Sequence, residues 1–161
     1  MAATVTIRVY TGTDAGTQSS AVSGIDFISA DNAVNNLSNR TTNPITAGNR
    51  SYEKWLKARV DVAPDNGVAN FKFWTDGSVD SETTLYVGTT ATGVTPVSSA
   101  SSVATTDATT YTSGSKLTWH AGTLTGVGDL TQYLVLQLAT TGSASAGDWT
   151  QETLSYSYDE T

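Results

Sequence analysis

His120 is the only histidine in the chain, so any Ser or Thr nucleophile would have to be activated around it. Hydroxyls are plentiful, with 18 Ser and 29 Thr among 161 residues. His120 stands in Thr118-Trp119-His120-Ala121-Gly122, at the end of a strand-like run, and no G-x-S-x-G elbow is present. It reads as a structural histidine. Glycoside hydrolysis needs two carboxylates set across a cleft. The glutamates, Glu53, Glu82, Glu152 and Glu160, show no pairing in sequence, and Glu53 falls on an outward face beside Lys54. Asp76-Gly77-Ser78-Val79-Asp80-Ser81-Glu82 puts oxygen side chains at alternate positions, as a calcium loop does, but Gly comes second and the EF-hand spacing fails after it. The segment reads first as a solvated acidic turn. Trp55, Trp74 and Trp149 fall on faces or loops that look outward, where aromatic rings can stack on sugars or anchor a protein contact.

Composition narrows the classes further. There is no Cys, which removes disulfides and Cys-ligated metals. One His removes a multi-His metal site within the chain, and no Gly-rich loop opening a helix offers a phosphate cradle. No cofactor is implied. The net charge of -7 disfavours nucleic acid and anionic membrane as partners and favours a basic partner surface. No apolar run reaches the length of a membrane span. Met1-Ala2-Ala3-Thr4-Val5 lacks the basic and apolar regions of a secretory signal, so the sequons at Asn36, Asn39 and Asn49 read as chance matches. Low charge, many β-branched residues and enough aromatics to fill a core point to an all-β protein rather than to disorder.

The elements follow from alternation. Thr4 to Tyr10 alternates Val5, Ile7 and Val9 with polar residues. Thr11 to Ser23 reads as a loop, Gly24 to Ser29 as a short strand, and 31–50 as a long loop or arm of the kind usually bound to a partner. Ser51 to Val62 is the longest strand. Its Tyr52, Leu56, Ala58, Val60 and Val62 share one face, and Glu53, Trp55, Lys57, Arg59 and Asp61 share the other. Lys54 lies on the apolar face and is expected to reach water by its stem. Pro64-Asp65-Asn66-Gly67 is a turn, Ala69 to Trp74 a strand, and Thr83 to Gly88 another. The nearly uncharged stretch 89–115 carries Val94, Val97, Val103 and Tyr111 and reads as loops on the sandwich surface. Leu117 to His120, Tyr133 to Leu138 and Gln151 to Tyr158 are the last strands. Gly128-Asp129-Leu130-Thr131-Gln132 and Gly147-Asp148-Trp149-Thr150-Gln151 resemble each other as two turns leading into strands. No segment shows a helical period. The pattern predicts one domain over 1–161, a single antiparallel β-sandwich of jelly-roll or Greek-key type with about eight strands.

The runs Asn49-Arg50-Ser51-Tyr52-Glu53-Lys54-Trp55-Leu56, Val68-Ala69-Asn70-Phe71-Lys72-Phe73-Trp74-Thr75-Asp76-Gly77 and Thr84-Leu85-Tyr86-Val87-Gly88-Thr89-Thr90, with the ending Gln151-Glu152-Thr153-Leu154-Ser155-Tyr156-Ser157-Tyr158-Asp159-Glu160, carry a resemblance over most of the chain. They resemble small virion structural proteins of tailed bacteriophages. The resemblance implies a non-enzymatic virion protein made in host cytoplasm, of the head or of the tail or connector; the acidic charge favours the outer capsid surface, as a decoration or cement protein. Its expected partners are the major capsid protein and neighbouring virion subunits, and it is expected to form a homo-oligomer. Asn43, Pro44, Asn49 and Arg50 in the long loop, with the outward Trp55 and Trp74, are the expected contact residues, so that Trp55→Ala should weaken attachment without unfolding the protein. A carbohydrate-binding or host-adhesion sandwich on a virion is the alternative, and a calcium-stabilised adhesive domain the third reading.

Overall fold

The strands form where apolar and polar residues alternate, because a half-buried sheet surface needs that period. In the computed structural model, which describes residues 2–145 and 151–161, nine strands appear: β1 (Thr4–Thr11), β2 (Thr17–Val22), β3 (Lys54–Val62), β4 (Val68–Thr75), β5 (Thr83–Thr90), β6 (Thr106–Asp107), β7 (Leu117–His120), β8 (Tyr133–Thr140) and β9 (Leu154–Glu160). They build two antiparallel sheets, a large one in the order β2-β1-β3-β8-β5-β6 and a small one in the order β7-β4-β9. The antiparallel β-sandwich expected from the sequence is the architecture of the chain. Between the sheets lies a core to which the large sheet gives Val9, Leu56, Val60, Leu85 and Leu136, and the small sheet Phe71, Phe73 and Trp119.

Three local expectations are corrected. Thr11 to Ser23 is not all loop: Thr13–Ala15 makes a 3-10 turn and Thr17–Val22 pairs with β1, where the hydroxyl of Ser19 accepts the Val9 N–H at 2.9 Å. Its alternation is hidden because Ser19, one of its two inward positions, is as small and polar as its exposed neighbours Thr17 and Ser20. Gly24 to Ser29 is not a strand; Ile25 and Phe27 pack on the core from irregular backbone, and the Ile28 carbonyl accepts the Tyr52 N–H. The long 31–50 segment contains a helix, α1 (Leu37–Thr42), whose N-cap Asn36 accepts the Asn39 N–H at 2.8 Å. Six residues are too few to show a helical period, and the cap supplies the local stabilisation instead.

Part of the outer face of the large sheet is also covered. The 89–115 region crosses it, and a second apolar cluster forms there from Tyr10, Ala15, Trp55, Ala104, Tyr133 and Val135. Two buried polar side chains fix the crossing. Gln137, fully buried on β8, donates from Nε2 to the carbonyls of Ser51 (3.0 Å) and Ser99 (2.7 Å), while its Oε1 accepts the Ser101 N–H at 3.0 Å. The Glu53 carboxylate accepts the Trp55 Nε1–H at 2.8 Å and the Val97 N–H at 3.2 Å. The chain passes so close that a Cβ on Gly88 would sit 1.9 Å from the Val103 carbonyl oxygen. That oxygen is backbone and cannot swing aside. Gly88→Ala is therefore expected to lift the 101–104 segment and cost about 1–3 kcal/mol, as overpacking does. Urea unfolding measures the loss, and an unchanged midpoint would mean that the loop does not rest on β5.

Candidate functional site

The sandwich closes unevenly. Three strands face six, and among the described residues the space between the sheets is left unfilled from Val5 and Val22 of β1 and β2 across to Thr83 and Leu85 of β5. A cleft of about 1010 Å³ opens there. Its floor is the inner face of the large sheet, with Val5, Ile7, Val22 and Leu56. Its opposite wall is the small sheet, with Phe73, Trp119, Leu154 and Tyr156. The segment 23–28 contributes Ile25 and Phe27. These positions are apolar for the same reason that the strands alternate; the cleft is a stretch of core face that the fold does not fill.

The rim is polar and acidic. Asp26 is buried, accepts the Asn36 N–H at 2.8 Å and pairs with Arg40 of α1 at 3.0 Å. Asp80 and Glu152 line the same opening. Burial, then the Asp76 and Asp80 carboxylates nearby, hold Glu152 above the usual carboxylate range. The rim thus carries three carboxylates against one guanidinium.

The six residues expected to make contacts are not brought together. Asn43 and Pro44 line the cleft. Asn49 and Arg50 lie beside the end of β8, where Arg50 bridges to Ala139 and its guanidinium sits 4.7 Å from the Tyr86 ring centre. Trp74 stands half-exposed on the outer face of the small sheet, with the Lys116 ammonium 4.2 Å from its ring centre. Trp55 is not outward at all. It is fully buried beneath the 89–115 region, edge-on to Tyr133 with ring centres 5.2 Å apart. Glu53 beside it is buried too, because its carboxylate serves the indole and the loop. The face assignment for β3 holds; solvent does not reach Glu53 and Trp55 because another layer lies on that end of the face, while Lys57, Arg59 and Asp61 further along stay half-exposed. Trp149, and the Gly147 to Thr150 part of the second turn motif, lie outside the described residues.

The residues weighed for chemistry are engaged in holding the fold. His120 Nδ1 accepts the Gln132 N–H at 3.3 Å and the ring packs against Phe71, while burial and then Lys57 lower its pKa from the usual 6.5. Asp76 accepts from the Ser78 N–H and Asp80 from the Glu82 N–H, and Glu82 accepts from the Ser145 N–H. Among the described residues no three His, Cys, Asp or Glu side chains are placed to hold a metal ion. No helix of the described residues is long and apolar enough to cross a membrane. Compared with known proteins, the chain matches no family model, no curated protein and no solved structure.

Lys54 corrects the remaining expectation. It does not reach water; its side chain is buried and Nζ donates to the Asn32 carbonyl at 2.8 Å, tying the 31–36 segment to β3. Burial lowers its pKa from 10.5 to about 8, against the opposing pull of Asp31 and Asp26. Below about pH 8 the ammonium is charged in both states and the burial penalty is full. Between about pH 8 and 10.5 the folded protein has lost the proton and the unfolded chain has kept it, so stability rises with pH. The full rise is on the order of 3 kcal/mol. Lys54→Met should remove this rise between about pH 8 and 9.5, read from urea midpoints across that range; an equal rise in both proteins would contradict the assignment. Trp55→Ala should now cost about 3–5 kcal/mol of stability, and a variant as stable as the parent would contradict the burial of the indole.

Proposed function

We propose that this chain is a non-enzymatic virion structural protein of a tailed bacteriophage, a decoration protein that attaches to the outer surface of the major capsid protein and stabilises the head. The observation that carries the reading is the uneven closure of the sandwich. It leaves an apolar cleft with an acidic rim, lined by β2 and β9, which are end strands of their sheets among the described residues; this form is suited to docking a chain rather than to turning over a substrate. The use of His120, Glu53 and the 76–82 carboxylates as hydrogen-bond acceptors within the fold supports it, as do the sequence resemblance and the net charge of -7, which suits an outer surface better than one facing DNA. Attachment would add buried area across capsomer junctions, with roughly 1,200–2,000 Å² enough per copy. Clustering of copies about the capsid symmetry axes belongs to the same reading.

Half-exposed Trp74 favours a second reading, a carbohydrate-binding module in which that indole stacks on a sugar. Lys116 already lies over the ring, which leaves one face for a ligand. Co-sedimentation with capsids that lack the protein separates the two. Saturable pelleting at a fixed copy number per capsomer is the expected result. No pelleting, together with quenching of Trp74 fluorescence by a polysaccharide, would move the function to glycan binding.

A further inference from the structure

We infer that the open side of the sandwich accepts an extended segment of a partner chain as an added strand on β9, with apolar side chains entering the cleft and basic residues meeting its rim. The partner's identity as a capsid subunit rests on the functional reading above; the strand acceptance does not. β9 is an outer strand of the small sheet, hydrogen-bonded to β4 through Val68 to Thr75 and, among the described residues, to no strand on its other side. It contains neither Pro nor Lys, the residues that commonly blunt an edge. Its Leu154, Tyr156 and Tyr158 face inward, where Tyr156 meets the Trp119 ring at 6.4 Å and Tyr158 meets Phe71 at 5.5 Å. Tyr156 nevertheless remains 38% exposed, and no strand of the described residues continues the sheet beyond β9.

A strand added about 4.8 Å beyond β9 would extend the small sheet over Val5, Ile7 and Val22. Alternate side chains would point into the cleft, and the free backbone groups of β9 would be paired. The chemistry of the occupant follows from two comparisons. A lipid or small apolar molecule could fill the volume but offers nothing to the unpaired backbone edge. A second copy of this chain would pair β9 with β9 and bring Asp159 and Glu160 of each onto the acidic rim of the other, in a protein already at -7. A segment alternating apolar residues between Lys or Arg satisfies the edge, the cleft and Asp80 with Glu152 together.

The test is calorimetric titration of the full-length chain with a synthetic peptide of about ten residues that alternates Val and Thr between terminal Lys. Two comparison peptides complete it, one with Glu in place of Lys and one N-methylated through its centre. One-to-one binding is expected, weakened about tenfold or more by either change, since each removes a whole set of contacts. No binding at about 1 mM, or equal binding of the N-methylated peptide, would overturn strand addition, the latter by showing apolar capture alone. A dimer that the peptide fails to dissociate would overturn it in favour of a second copy. The functional reading fails separately. Peptide binding without capsid pelleting leaves strand acceptance standing and removes the capsid role. Capsid pelleting that persists under saturating peptide retains the capsid role and removes this cleft as its docking point.

Discussion

The buried amide of Gln137 is the point on which the outer architecture depends. A glutamine held away from water is stable only when its donors and acceptor are all used, since each unmet group costs about 1–3 kcal/mol. Here they are met by backbone groups of Ser51, Ser99 and Ser101, which belong to two segments far apart in sequence. The side chain therefore does for the loops what ladder hydrogen bonds do for strands. Glu53 repeats the device one strand away, joining Trp55 to Val97. Between them they hold a Ser- and Thr-rich stretch, short of apolar residues, as an ordered layer on the large sheet.

The consequence is an asymmetric molecule. Part of the outer face of the large sheet is covered by this layer, with Trp55 and Tyr133 beneath it. The inner face is covered by the small sheet except along the cleft, which Leu154 and Tyr156 of β9 line together with Val5, Ile7 and Val22. The 31–50 segment, which looks in sequence like a long loop or arm, is tied to the chain through Lys54, Arg40 and the α1 cap, while Val34 and Leu37 stay exposed. Among the described residues, the cleft, the edge beside it and its acidic rim are open.

Much of the sandwich was legible because two-residue alternation is a strong signal when one face is apolar. Strands β1, β3, β4, β5, β7 and β9 announce themselves in this way, and β8 does so as a nearly continuous apolar run buried on both faces. β2 does not, because Thr, Gln, Ser and Ala give no contrast between faces. The inward and outward faces of β3 were also legible, yet the exposure of Trp55 was not, since alternation distinguishes two sides of a sheet and not how many layers cover each. Lys54 and Glu53 were misjudged on the same ground: a charged residue reads as exposed until its partners, Asn32 in one case and Trp55 with Val97 in the other, are placed in space. Asn43 and Pro44 reached the cleft as loop residues, while its apolar walls were seen only as core. No local signal marks a core face as uncovered; that depends on how many strands each sheet receives.

Amide hydrogen exchange, measured on the free protein and again on its complex with capsids, tests the account most directly. It predicts that Ser101, Val103 and Ala104, whose amides are held by Gln137 and by the Ser101 hydroxyl, are protected in the free protein as well as the strands are. It predicts that binding adds protection along the outer edge of β9 and leaves the outer layer unchanged. Fast exchange at Ser101 to Ala104 in the free protein, with protection gained there on binding, would contradict it. The 89–115 region would then be the docking element, and the cleft merely an unfilled part of the core.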